Sequence, residues 1–305
     1  MKLEVKNLTK SFGEKEVLHG ISFDVDGGKA LGLLGRNGAG KTTTIRIIMD
    51  VFHANSGEIF LDGKIFNPKE HLIGYLPEER GLYPKKKVSE QLIYLGRLRG
   101  LSKAEAKKNT DKWLKRLQVS QYTDAKLETL SKGNQQKVQL ASTLVCEPEI
   151  VILDEPFSGL DPVNSKILQD VVTGLIEEGR IVIFSSHQMS YVEEFCEDIA
   201  IINNGEIALS GNLADIKAEY GKNQLIISAV GIEAEELAEK LRTSCADTLS
   251  VVGIHKDGVI VKNIHELSGN ALIKEIMNAD VEIASFDSYR PSLNDIFVEA
   301  VGGDR

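Results

Sequence analysis

Hydrophobic and polar positions alternate in the first part of the chain in the manner typical of β-strands. Lys2–Lys6 alternates strictly, and Glu16–Val25 alternates again around Gly20, which we interpret as a turn. Lys29–Leu34 is a short apolar run that ends in a glycine-rich loop, and Thr42–Asp50 has the spacing of a helix. This region therefore predicts alternating strands followed by a strand, a loop and a helix.

The middle of the chain combines a charged helical stretch with two apolar runs. Val88–Val119 has a helical pattern, within which Ser102 followed three residues later by Glu105 predicts a capping box. Ile150–Leu153 and Ile181–Ser185 are continuous apolar runs, typical of strands buried on both faces. Because such strands alternate with helices over the first 220 residues or so, the fold class predicted is α/β with a mostly parallel sheet.

The pattern changes after Asn223 to that of a second, smaller domain. Lys256-Asp257-Gly258 predicts a hairpin turn. The predicted strands are Gln224–Val230, Thr248–Ile254, Val259–Asn263 and Val281–Ser285, and the predicted helices are Ala234–Arg242, Leu267–Asn278 and Ser292–Val301. The order β-α-β-β-α-β-α predicts a small α+β domain resembling the split βαβ arrangement. We therefore predict one domain at 1–220, with a helical subdomain at about 85–145, and an accessory domain at 221–305.

Composition and charge restrict the classes of function. The length of 305 residues suits one large and one small domain, and the net charge of −9 argues against a nucleic-acid partner, which a basic face would bind. No apolar stretch approaches the ~20 residues that span a bilayer, and Met1–Glu4 does not begin a signal peptide. Cys146, Cys196 and Cys245 form no CxxC pair, which indicates buried or inert thiols in a reducing cytosol.

A phosphate-binding loop is the first chemical motif. Gly35–Thr42 fits the pattern G-x-x-x-x-G-K-[ST] between a predicted strand and a predicted helix. In this arrangement backbone N–H groups point at the β-phosphate beside the positive helix N-terminus. Lys41 would bridge the β- and γ-phosphates, and the Thr42 hydroxyl would bind Mg²⁺. The predicted nucleotide-binding residues here are Gly35, Arg36, Asn37, Gly38, Ala39, Gly40, Lys41, Thr42 and Thr43.

Two carboxylates follow the buried strand at Ile150–Leu153. Asp154 stands where a Mg²⁺-orienting carboxylate belongs, and Glu155 comes one residue later, at the strand end where open α/β sheets bind ligands. A carboxylate there can polarise the water that attacks a γ-phosphate. Alone, this pattern more often marks a solvated strand end; together with the phosphate loop it indicates nucleotide hydrolysis.

A third motif carries a resemblance to a known family. Leu130–Gln136 reads Leu-Ser-Lys-Gly-Asn-Gln-Gln, which resembles the LSGGQ signature of the ATP-binding-cassette (ABC) family, with departures at Lys132 and Asn134. In that family, the signature contacts the γ-phosphate of ATP held by the opposite subunit. The resemblance gives this role to Ser131, Gly133 and Asn134, while Lys132 is either solvated or faces a phosphate.

The resemblance extends to further positions. Phe12 matches the aromatic residue on which adenine stacks, the alternative being plain core packing, and Ser158–Asp161 matches the D-loop at the dimer seam. His187 matches the switch histidine that touches the γ-phosphate. Glu78 stands where the family usually has a glutamine that reaches the metal and the water. A carboxylate can still bind Mg²⁺ there, and it adds negative charge beside the γ-phosphate.

The resemblance implies an ATPase that works as the motor of a membrane transporter. Glu155, His187 and Lys41 are then the catalytic residues, and Thr42, Asp154 and Glu78 the Mg²⁺ ligands. The implied partners are a second ATP-binding subunit, with a homodimer expected, and a multi-span membrane permease. The implied location is the cytoplasmic face of the cell membrane, without nucleic acid.

Three segments resemble one branch of the family. Gly74–Pro84, Leu130–Lys137 and the ending Arg290–Phe297 are similar to ATPase subunits of sodium-extrusion (NatA-like) and related exporters.

Two other functions are alternatives to a transporter motor. The first is a soluble ABC ATPase acting on ribosomes or DNA. The single phosphate loop and the roughly 90 residues between Lys41 and the signature do not favour it. The second alternative is an inactive regulatory subunit. The phosphate-handling residues do not favour it, because all of them except Glu78 follow the family.

Overall fold

The computed structural model describes residues 1–79, 81–277 and 280–302. It divides into two compact units, Met1–Leu213 together with the segment from Glu299 onward, and Ala214–Val298. The domain boundary near residue 220 stays a prediction, and it falls at the end of the helix Leu213–Tyr220.

In the first unit the strands are β1 (Lys2–Phe12), β2 (Lys15–Asp26), β3 (Ala30–Leu34), β4 (Ser56–Leu61), β5 (Lys64–Ile65), β6 (Ile73–Leu76), β7 (Ile150–Asp154), β8 (Ile181–Ser185), β9 (Asp198–Asn203) and β10 (Glu206–Asn212). The helices that accompany them are α1 (Lys41–Ile48), α2 (Val88–Leu98), α3 (Lys103–Arg116), α4 (Lys132–Leu144), α5 (Pro162–Glu177) and α6 (Met189–Phe195), and α7 (Leu213–Tyr220) follows.

The alternating strands build an antiparallel sheet with the order β2-β1-β4-β5. Alternation fits such a sheet because one face packs on the core while the other meets solvent. The turn predicted at Gly20 is wrong, since β2 runs through this residue. Leu8 pairs with Ile21 and Thr9 with His19, so Gly20 is an extra residue that bulges from the ladder with φ 91°.

The continuous apolar runs build a second sheet with the order β10-β9-β3-β8-β7-β6. Neighbours from β9 to β6 are parallel and only β10 is antiparallel, which confirms the mostly parallel sheet. Every residue of β3, β7 and β8 is buried, as expected for strands covered on both faces. The carboxyl ends of β3, β6, β7 and β8 therefore meet at one edge of the sheet.

The charged stretch after β6 forms two helices, α2 and α3, and the second begins after Ser102. The capping box is confirmed: Ser102 accepts a hydrogen bond from the Glu105 amide and the Glu105 carboxylate accepts one from the Ser102 amide. Gly100, with φ 93°, lies between the two helices. Trp113 on α3 is fully buried.

The second unit has the predicted order of elements. All of α7 except Leu213 clusters with this unit. The elements that follow are β11 (Gln224–Ala229), α8 (Ala234–Ser244), β12 (Leu249–His255), β13 (Gly258–Asn263), α9 (Gly269–Met277), β14 (Ile283–Ser288) and α10 (Leu293–Val301), the last ending in the segment that clusters with the first unit. The sheet order is β12-β13-β11-β14 with antiparallel neighbours throughout, which is the split βαβ topology. The predicted helix end at Asn278 lies outside the described residues.

Within the described ranges, no helix combines the length and the apolar character that crossing a membrane requires. The three cysteines are buried and free, as their scattered positions predict.

Candidate functional site

A cavity of about 810 Å³ lies at the carboxyl edge of the parallel sheet. Its lining residues come from the loop after β3, the start of α1, the ends of β6, β7 and β8, and the β1–β2 hairpin. They are Lys15, Val17, Arg36, Asn37, Gly38, Gly40, Lys41, Thr42, Thr43, Glu78, Asp154, Glu155, Ser185 and His187.

The loop after β3 presents the start of α1 to this cavity. Gly35, Gly38 and Gly40 have positive φ angles, which glycine adopts without steric cost. The Lys41 ammonium donates to the carbonyl of Gly35 (2.6 Å) and to that of Arg36 (3.2 Å). Burial lowers the pKa of Lys41, and the nearby carboxylates oppose this shift. The loop thus combines a helix N-terminus with a partly desolvated cation, a combination suited to binding an anion.

Asp154 is held in position by two hydroxyl groups. Ser185 Oγ donates to Asp154 Oδ1 over 2.6 Å, and Tyr75 OH donates to Oδ2 over 3.4 Å. Burial, together with the neighbouring Asp154 carboxylate, raises the pKa of Tyr75 to about 12, so the tyrosine remains a neutral donor. The carboxylate is therefore fixed in orientation at the end of β7.

Glu155 and His187 form a close pair beside Asp154. The backbone N–H of His187 donates to Glu155 Oε1 over 2.7 Å, and the imidazole Nδ1 lies 2.8 Å from the same oxygen. Ser186 Oγ donates to Oε2 over 3.2 Å. Glu155 has φ 50°, a left-handed conformation that costs a non-glycine residue roughly 1–2 kcal/mol. The hydrogen bonds from His187 and Ser186 thus hold the Glu155 carboxylate at the cavity wall, despite the strained backbone of Glu155.

Most of the residues predicted to contact nucleotide bound by their own chain line this one cavity. The exceptions are Phe12, Gly35 and Ala39, which lie outside the lining. Phe12 is 44% exposed and its ring packs edge-on against Phe52 with centroids 5.2 Å apart, so the core-packing alternative is wrong. The Gly35 carbonyl accepts a hydrogen bond from Lys41, and the side chain of Ala39 is buried.

The signature segment is not part of the cavity lining. Ser131 caps α4 by accepting a hydrogen bond from the Asn134 amide (3.4 Å), and Lys132 is exposed. Gly133 packs against Asn164 at the start of α5. Within one chain, the structure therefore brings the phosphate loop, Asp154 and Glu155 together and leaves the signature apart.

Three lining residues are not among those that the sequence predicts: Lys15, Val17 and Ser185. Lys15 is the cross-strand partner of Phe12 in the β1–β2 hairpin. The alternation at Glu16–Val25, which predicts a strand next to Phe12, is the sequence feature that could have pointed to it. Ser185 is the last residue of β8, opposite Asp154 in the parallel register. Only the strand pairing shows that its hydroxyl reaches the carboxylate.

The oxygen donors of the cavity fit a magnesium ion. The Thr42 hydroxyl and the Asp154 and Glu78 carboxylates are hard oxygen ligands of the kind that Mg²⁺ prefers. In the described part of the chain, no three His, Cys, Asp or Glu side chains are grouped to hold a metal by themselves. The donor set is therefore one that phosphate oxygens would complete.

Comparison with known proteins agrees with both units. The ABC transporter family model matches residues 18–158, and the model of the C-terminal domain of DrrA1-3-like ATP-binding proteins matches residues 211–301. A solved structure described as the ATP-binding subunit of an ABC transporter superposes with a TM-score of 0.67 at 30% identity. That match covers 80% of this chain and 100% of the other.

Several relatives match along nearly their whole length. The uncharacterized ABC transporter ATP-binding protein YhaQ of Bacillus subtilis is 40% identical over 310 residues, with 98% of each chain covered. The linearmycin resistance ATP-binding protein LnrL of the same organism is 31% identical, again with 98% of each chain covered. The Nod factor export ATP-binding protein I of Burkholderia lata is 29% identical over 98% of this chain and 97% of its own. The chain thus belongs to the ABC transporter ATP-binding proteins, whose ATPase domain hydrolyses ATP.

Proposed function

We propose that this chain is the motor subunit of a membrane exporter, which hydrolyses MgATP and drives a separate permease. The observation that carries the proposal is the shared cavity, where Lys41 of the phosphate loop faces Glu155 and His187 at the same sheet edge. This arrangement supplies a cation for phosphates and a carboxylate for water within one cavity.

Each residue has a defined part in the proposed reaction. Lys41 and His187 offset charge on the γ-phosphate, and Glu155 accepts a proton from water as the water oxygen bonds to the γ-phosphorus. The bond from that phosphorus to the β-phosphate oxygen breaks, which leaves ADP and phosphate. Thr42 and Asp154, with Glu78, would hold the Mg²⁺, which when bound withdraws charge from the phosphates.

The separate position of the signature supports a second copy as partner. Ser131, Gly133 and Asn134 lie outside the cavity lining of their own chain, so they are available to another chain's nucleotide. In the proposed cycle, two copies face head to tail and enclose two MgATP molecules. ATP binding closes the pair and hydrolysis reopens it, which moves the permease between its two states.

Export is the direction that the relatives favour. One relative is named for Nod factor export and another for linearmycin resistance, and the second unit matches a DrrA1-3-like domain. Together with the sequence resemblance to NatA-like subunits, this supports a sodium ion, a drug or another small solute as cargo. The proposed location is the cytoplasmic face of the cell membrane.

Affinity capture separates this proposal from the alternative of a soluble ABC ATPase acting on ribosomes or DNA. Tagged Glu155→Gln protein is expressed in its native cell and recovered from detergent-solubilised membranes with MgATP present. We expect a stoichiometric multi-span membrane protein, retained less by a Lys41→Ala variant. Recovery of ribosomes or DNA-bound proteins without a membrane partner would overturn the exporter proposal.

A further inference from the structure

Glu78 differs from the other two carboxylates of the cavity in its surroundings. Asp154 and Glu155 each accept hydrogen bonds from neighbouring groups, which offset part of their charge. The described part of the chain offers Glu78 no hydrogen bond and no ion pair, and its side chain is exposed at the cavity. Its negative charge therefore faces the cavity with no hydrogen-bond or ion-pair partner among the described residues, although the Lys41 ammonium attracts it from a longer distance.

The charges of the lining balance one another. The charged side chains are Lys15, Arg36 and Lys41 on one side and Glu78, Asp154 and Glu155 on the other. The charges of these three basic and three acidic side chains thus offset one another. A triphosphate without a cation is attracted by the phosphate loop but meets repulsion from the three carboxylates of the lining, Glu78 among them.

Among the described residues, the His, Cys, Asp and Glu side chains form no group of three suited to a metal, so the carboxylates of this cavity do not make a complete cation site by themselves. Mg²⁺ in such sites is commonly bound by one or two carboxylates together with substrate phosphates. Cation and nucleotide would therefore be bound together, each supplying what the other lacks.

We propose that Glu78 makes the cavity selective for the metal complex of ATP and against metal-free ATP. The inference rests on the proposed function, in that the cavity binds ATP. Glu78 repels the bare triphosphate and becomes compatible with it once a divalent cation lies between the two. A glutamine at this position would be uncharged and would bring no repulsion.

Calorimetric titration of the full chain with ATP tests this directly, in buffer containing Mg²⁺ and in buffer containing EDTA. Glu78→Gln should bind metal-free ATP roughly threefold to tenfold more tightly than the wild type, because one repulsive charge is removed. Its affinity for MgATP should stay equal or fall. Because Glu78 is exposed, the gain for metal-free ATP should shrink as salt is added.

The neighbouring carboxylate provides a matched control. Glu79 is also exposed but does not line the cavity, so Glu79→Gln should leave both affinities unchanged. An unchanged ratio of the two affinities in Glu78→Gln, or an equal change in Glu79→Gln, would overturn the selectivity role while ATP binding stands. If the wild type binds ATP in neither buffer, the proposed function fails as well.

Discussion

A Cβ atom built on Gly133 would lie 2.7 Å from Nδ2 of Asn164, so the signature helix and the helix after the D-loop touch at a glycine. Asn164 is held by Asp161, which accepts from the Asn164 amide nitrogen (2.9 Å) and from its side chain (2.5 Å). The signature and the D-loop of one chain are therefore packed as one block, although they are about 30 residues apart in sequence.

Gly133→Ala tests this contact. Alanine is the better helix former by about 1 kcal/mol, but the crowding against Asn164 should cost about 1–3 kcal/mol, so the free energy of unfolding should fall by up to about 2 kcal/mol. Urea unfolding measures the difference. Adding Asn164→Ala should restore the stability, since the Asp161 cap uses the backbone N–H of residue 164. A Gly133→Ala variant more stable than the wild type would contradict the contact.

Glu155→Gln should abolish hydrolysis while preserving binding. An amide cannot accept the proton of the attacking water, so the steady-state ATPase rate should fall by about 100-fold or more. The dissociation constant for MgATP should change by less than about threefold, because the cavity keeps its shape and the Mg²⁺ of the complex offsets the phosphate charge that Glu155 faces. Hydrolysis near the wild-type rate would remove Glu155 from the role of base.

Two adjacent serines allow the metal ligand and the base to be probed separately. Ser185→Ala removes the shorter of the two hydrogen bonds to Asp154 and should raise the Mg²⁺ concentration for half-maximal ATPase activity by about tenfold. Ser186→Ala removes a donor to Glu155 and should lower the maximal rate without that Mg²⁺ shift. The same Mg²⁺ shift in both variants would show that the two serines do not act on separate carboxylates.

Lys41→Met should weaken nucleotide binding without lowering the thermal stability of the nucleotide-free protein. Burial lowers the pKa of Lys41 in the folded chain, so its ammonium opposes folding at neutral pH, and this cost disappears only as the pH rises toward about 10. Thermal unfolding without nucleotide should therefore be unchanged or occur at higher temperature. The stabilisation by MgATP should be lost, while Lys64→Met, at an exposed strand position, keeps it.

Glu147 gives the first unit a pH-dependent stability. Its burial favours the neutral acid, but hydrogen bonds from Lys112 and Arg180 outweigh this and lower the pKa of Glu147. A lowered pKa stabilises the fold above the unfolded value of about 4.3, and the contribution is lost as the pH falls through the folded value.

The matching variant is Glu147→Gln. Its free energy of unfolding at pH 7 should be about 1–3 kcal/mol lower than that of the wild type, because Lys112 and Arg180 lose their charged contacts with Glu147, while Arg180 keeps its pair with Glu178. The difference should shrink in urea titrations as the pH falls below about 4, where Glu147 itself becomes protonated. A difference that persists undiminished at low pH would contradict the ionic origin of this stability.

Local sequence was sufficient where a single segment carries the physical constraint. The capping box at Ser102, the buried strand before Asp154 and the order of elements in the second unit follow from short-range pattern and side-chain chemistry. The phosphate loop likewise needs only one strand, one loop and one helix start. Such features can be predicted from the sequence because their hydrogen bonds and their periodicity lie within a few residues.

Tertiary structure decided what depends on pairing between distant segments. Gly20 is a bulge rather than a turn because β1 continues to pair beyond it, and that partner lies elsewhere in the sequence. The hydroxyl of Ser185 reaches Asp154 only through the parallel register of β7 and β8. The chain's own sequence determined which chemistry is present, and strand pairing decided which groups meet, because register joins residues that no local pattern connects.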